Sequence, residues 1–120
     1  MARGFSYTPP VTRPAPEKSS DAEVLLRLEV QVPPEKREDF LAFCRRAFPV
    51  YESIGGCRMA LYEDRDRPGC FDELGWYATA EDLDRAETAL REDPVQAALI
   101  RQWRGLLSAP PKVSIHRRST

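Results

Sequence analysis

The sequence predicts a two-layer α+β fold of the ferredoxin-like kind, a four-stranded antiparallel sheet with its helices on one face. Three observations lead there. Stretches alternating apolar and polar residues at every second position are interleaved with stretches whose apolar residues recur every third or fourth. Their order is strand, helix, strand, strand, helix, strand, and two split βαβ units in that order close into an antiparallel sheet with both helices on the same side. Finally, 120 residues support one hydrophobic core, and a second would be starved.

Each element has a local reason. Residues 1–20, with Pro9, Pro10, Pro14 and Pro16 among Ser, Thr and scattered charge, follow neither period and read as a proline-rich tail ahead of a single domain over 21–120. From Glu23 to Val32, Val24, Leu26, Leu28, Val30 and Val32 alternate with Leu25, Arg27, Glu29 and Gln31, which predicts a strand with one buried face. Pro34 opens a helix whose apolar positions Phe40, Phe43, Cys44, Ala47 and Phe48 recur at three and four, and Pro49 is expected to stop it. Gly55 and Gly56 lead into a second strand, Cys57 to Glu63; Asp64 to Gly69 is a turn, and a third strand runs from Cys70 to Ala78. Thr79 with Asp82 forms a capping box for the second helix, which Asp93-Pro94 restarts through Trp103 and Leu106. Lys112 to Arg117 is the last strand, with Val113 and Ile115 on one side and Ser114 and His116 on the other.

Composition excludes several classes of function. Eighteen basic and nineteen acidic residues give a net charge of -1, and the basic ones gather toward the ends at Arg3, Arg13, Lys18, Lys112, Arg117 and Arg118. The middle lacks the concentrated basic face that phosphate neutralisation requires, so no nucleic-acid partner is expected. No apolar run reaches membrane-span length and no leader pattern opens the chain, which predicts a cytoplasmic protein with no membrane partner. Cys44, Cys57 and Cys70 lack C-x-x-C spacing and only His116 could assist them, so no metal site is expected and the thiols read as reduced, buried small hydrophobes.

The open sheet face then collects Leu25, Arg27, Glu29, Gln31, Arg58, Tyr62, Ser114 and His116, a mixture that suits a partly polar homodimer interface better than bare water. Pairing across a two-fold axis would let each arginine meet a glutamate of the partner. By strand parity Trp76 is expected to face the helices with Leu74 and Ala78, and Tyr77 to join Arg27, Glu29, Arg58 and Tyr62 at the interface. His116, the one imidazole, titrates nearest neutrality when unperturbed, but its place on the last strand favours an interface or tail contact.

Phe71, Trp76, Leu83, Leu90 and Asp93-Pro94, with Gly56-Cys57 opening the second strand, carry a family likeness. Over about residues 23 to 117 the chain resembles the antibiotic-biosynthesis-monooxygenase-like branch of the dimeric α+β barrel superfamily, whose relatives include NIPSNAP-like proteins, anthrone oxygenases and haem-degrading enzymes. The resemblance implies a homodimer and cofactor-independent oxygenation of a small aromatic metabolite, in a pocket between sheet and helices. On the expected parities Leu28, Phe43, Met59, Leu61, Leu74 and Trp76 would line that pocket. Trp76 is the residue carried over from the family pattern, and Trp76 and His116 are the catalytic candidates. The family commonly carries a glutamate two positions before that tryptophan and a helical histidine nine or ten after it; here those places hold Leu74 and Arg85 or Ala86. The departure leaves three expectations open: a monooxygenase, a binding protein using the same pocket without chemistry, and a structural homodimer whose pocket is filled by core side chains.

Overall fold

The computed structural model describes residues 14–120. Most of the proline-rich segment, residues 1–13, lies outside the described residues. Strand β1 (Val24–Gln31) is followed by helix α1 (Arg37–Glu52), strands β2 (Cys57–Glu63) and β3 (Cys70–Tyr77), helices α2 (Ala80–Glu92) and α3 (Pro94–Arg104), and strand β4 (Lys112–Arg117). The sheet order is β2-β3-β1-β4, and all three pairings are antiparallel. This is the ferredoxin-like arrangement that the element order predicts.

The helices begin where their caps allow. Thr79 accepts from the Asp82 amide and Asp82 returns the contact to the Thr79 amide, which closes the expected capping box. Asp93 accepts from Val95 N–H at 2.9 Å and Pro94 occupies the first turn of α3, so α2 and α3 are separate helices meeting at one residue. One boundary differs from expectation. Helix α1 runs through Pro49 to Glu52, and Ser53 N–H closes it on the Pro49 carbonyl at 3.0 Å. Proline cannot donate to the carbonyl of Arg45, but both residues are exposed, where water can replace that one bond in the last turns.

The core lies between the helices and one face of the sheet, in two clusters. Under α1 and α3, Val30, Val32, Phe40, Phe43, Cys44, Ala47, Phe71 and Trp103 pack together, with the Phe40 and Phe71 ring centroids 4.9 Å apart. Under α2, Val24, Cys57, Tyr77, Leu83 and Ala86 form the second. Strand β4 lies beyond this cover. Val113 and Ile115, paired with Leu28 and Leu26 on the helix-facing side, remain 56% exposed.

Gly56 fixes how α2 meets the sheet. It has a φ of +72°, and a side chain there would run into the fully buried carboxylate of Asp82. Gly56→Ala is therefore expected to lower unfolding free energy by about 2 kcal/mol, from the left-handed backbone and the disturbed cap together. Urea unfolding would show it, and an unchanged midpoint would mean that α2 shifts freely.

Candidate active site between sheet and helices

Between the two core clusters runs a mainly apolar cleft. Its floor is Leu26, Leu28, Met59, Glu73 and Tyr77 of the sheet, and its walls are Tyr51 and Ile54, Ala86 and Leu90 of α2, and Gln96, Ile100 and Trp103 of α3. The cavity is about 50 Å³, room for a few water molecules and well short of the roughly 300 Å³ at which ligand pockets begin. Ile54, Leu90 and Ile100 are only partly buried, so the rim is set by aliphatic side chains that can change rotamer.

The one carboxylate in this cleft is Glu73. It is 4% exposed, and Trp103 Nε1–H donates to its Oε1 at 3.0 Å. No lysine or arginine pairs with it among the described residues. Burial therefore pushes its carboxyl up to about 7, with the Trp103 N–H drawing it part of the way back. A carboxyl poised there can take or return a proton near neutral pH. Around it, the Tyr51 and Tyr77 phenols are pushed up, first by burial and further by negative charge including that of Glu73, so both remain proton donors. Burial also raises the Cys57 thiol to about 11, which keeps it protonated and a poor nucleophile. The cleft thus offers one base, phenolic donors and little water.

Strand β3 departs from the parity expected of it. Phe71, Glu73, Gly75 and Tyr77 are buried against the helices, and Asp72, Leu74 and Trp76 face the other way. Trp76 and Leu74 therefore lie outside the cleft, and Tyr77, 5% exposed, lines it and has no place on the open face. Both parities of β3 carry apolar residues, and the wrong one carries more because the core-facing set spends two positions on Glu73 and Gly75. Gly75 is where the signal lay. A side chain there would sit 3.0 Å from the Tyr77 ring and 3.3 Å from the Met59 sulfur, so the glycine makes room for a ring on its own side of the sheet. Of the other expected pocket residues, Leu28 and Met59 line the cleft; Phe43, on the inner face of α1, is sealed in the core at 1% exposure, and Leu61 packs against the same cluster.

Trp76 and His116 come together on the open face, on either side of Leu25, with which both are in register. With Ser19, Ala22 and Arg118 they border a shallow hollow of about 320 Å³. His116 Nε2 is 2.9 Å from Ser114 Oγ. Several charges on this face have partners within the chain. Arg27 pairs with Asp72 at 3.2 Å and Glu29 at 3.6 Å, and Arg58 donates to the Pro16 carbonyl at 2.7 Å. Arg27 thus has carboxylate partners within its own sheet, whereas Arg58 is held by a backbone carbonyl ahead of β1. A second polar hollow, about 280 Å³, spans Arg27, Glu29, Tyr62, Asp72 and Lys112 on that face, and its walls are these same paired charges. Among the described residues no group of three His, Cys, Asp or Glu side chains could hold a metal ion, and no helix is long and apolar enough to cross a membrane.

No family model and no curated protein matches the chain. Solved structures do. A conserved protein from Methanosarcina mazei superposes with a TM-score of 0.72 at 20% identity, covering 84% of this chain and 97% of its own. SnoaB, a cofactor-independent oxygenase from Streptomyces nogalater solved as a mutant, gives 0.69 at 16%, covering 82% and 95%. A structure described as an antibiotic biosynthesis monooxygenase gives 0.67 at 14%, covering 81% and 99%. At these identities the likeness is one of fold: the chain has the α+β fold of the antibiotic-biosynthesis-monooxygenase structures across nearly their whole length.

Proposed function

We propose that this protein is a cofactor-independent oxygenase of small electron-rich aromatic compounds, with Glu73 as its base, working as a homodimer through its open sheet face. The observation that carries this is Glu73 itself: a carboxyl without a cation partner among the described residues, buried in an apolar cleft, is costly to keep and suited to proton abstraction. The fold shared with SnoaB supports the choice of chemistry. In the proposed reaction Glu73 takes a proton from the substrate's phenolic or benzylic position. The resulting anion gives one electron to dioxygen, the radical pair joins carbon to oxygen, and the hydroperoxide loses water to leave a ketone. One dioxygen is consumed and one water released for each CH₂ converted to C=O. Tyr51 and Tyr77 would donate to the developing oxyanion.

The 50 Å³ cavity favours a second reading, in which the cleft is packing space and the protein is a non-catalytic homodimer. Oxygen-electrode measurements with 1,8-dihydroxyanthrone separate the two. The first reading expects one dioxygen per anthrone and a loss of about 100-fold or more in Glu73→Gln. A folded wild type that neither binds nor turns over the anthrone leaves only the structural dimer.

A further inference from the structure

Gln96 is the one other strongly polar side chain of the cleft, and nothing in the oxygenase chemistry uses it. It is 3% exposed. Its Nε2 points to the Val50 carbonyl at 3.5 Å, which fixes the amide's orientation, since the flipped amide would set oxygen against oxygen. Its Oε1 is buried, and among the described residues nothing donates to it. A buried acceptor left unpaired destabilises a fold unless something else supplies a donor. Gln96 and Trp103 are seven residues apart on α3, two turns, so they share a face with roughly 10 Å of rise between them. Trp103 holds Glu73 at one end of the cleft wall, and Gln96 stands at the other.

We infer that Gln96 is a specificity residue, whose Oε1 selects ligands carrying a second hydrogen-bond donor at the end remote from the group that reaches Glu73. The inference rests on the cleft being a ligand site, as proposed above. Apart from the Tyr51 and Tyr77 phenols, assigned above to the developing oxyanion, the walls are aliphatic or aromatic and give a ligand no other cause to carry a second donor. A ligand capped there by a methyl ether would place an acceptor, or a bare carbon, against an acceptor and leave Oε1 unpaired, which is the situation that discriminates most strongly between near-isosteres.

The test is calorimetric titration under nitrogen, with hydroquinone and 4-methoxyphenol as probes of nearly equal size differing by one donor. The wild type is expected to bind hydroquinone about tenfold more tightly, and Gln96→Leu to bind the two alike. Without ligand, Gln96→Leu is expected to melt about 4 °C or more above the wild type, because it removes the unpaired acceptor. Gln96→Met serves the same comparison should the branched side chain fit badly. A lowered melting temperature in both variants, with discrimination kept, overturns the inference and makes Gln96 a structural residue acting through Val50. Equal binding of both probes by the wild type, weakened by Glu73→Gln, also overturns it but leaves the Glu73 site standing. If neither probe binds the wild type at millimolar concentration, the ligand site itself fails and Gln96 goes with it.

Discussion

Glu73→Gln is expected to leave stability almost unchanged at pH 4.5 and to raise it by about 3 kcal/mol at pH 8. In the unfolded chain this carboxyl ionises at its ordinary value of 4.5, and in the folded chain burial holds it at about 7. Between those values the folded protein keeps a proton that the unfolded protein has released. Stability therefore falls as pH rises through this window, is unaffected by Glu73 below it, and has lost the full amount above it. Glutamine stays neutral throughout and preserves an acceptor for Trp103 Nε1–H, so the variant escapes the loss. Urea unfolding of both proteins at the two pH values isolates this carboxyl, because other titrating groups cancel in the difference. A wild-type-to-variant difference equal at both pH values would show that Glu73 does not titrate near neutrality, and the proposed base would fall with it. The sign is informative in itself. A residue that weakens the fold at working pH is retained for something other than the fold.

That residue was the one the sequence concealed. Periodicity was decisive where a segment had a single apolar face: β1 carries Val24, Leu26, Leu28 and Val30 on one side only, and α1 has one stripe from Phe40 to Ala47. Capping chemistry was decisive at Thr79 and Asp93, because hydroxyl and carboxylate caps act locally and need no tertiary partner. Strand β3 failed on both counts. Its core-facing set holds a buried glutamate and a glycine, and its open set holds Leu74 and Trp76, so counting apolar residues selects the wrong face. Functional sites break the hydrophobic pattern because a buried ionisable group serves chemistry rather than packing. Glu73 also lies three residues before Trp76, one step and one sheet face away from where the resemblance directs attention. Gln96 was hidden differently: a polar residue in the first turn of a helix is commonplace, and its partner is the Val50 carbonyl near the end of α1, a contact between elements that no spacing encodes.

Trp76→Ala is expected to dissociate the proposed homodimer while leaving the monomer folded. On the open face the indole lies between Leu25 of β1 and Arg58 of β2, in register with both, and Tyr62 farther along β2 is 59% exposed. A large aromatic on an inner strand, near one end of the sheet face, beside Leu25 and with Arg58 and His116 around it, has the surroundings of an interface hot spot: an apolar centre with a polar rim. Truncating such a residue costs about 2 to 4 kcal/mol of association, so the dissociation constant should rise by roughly 30-fold or more. Because the two core clusters lie on the other side of the sheet, unfolding free energy measured where the wild type is monomeric should change far less. Trp76 is a sharper probe than a charge reversal at Glu29, whose contacts to Arg27 at 3.6 Å and Lys112 at 3.9 Å would be disrupted within the chain as well. Asp66→Arg, at the exposed β2–β3 turn, is the matched control and should leave assembly alone. Sedimentation velocity across micromolar concentrations reads both. A monomeric wild type sinks the homodimer outright, and a wild-type dimer that Trp76→Ala leaves intact would move its interface off the open sheet, with the uncovered Val113 and Ile115 of β4 the next surface to test.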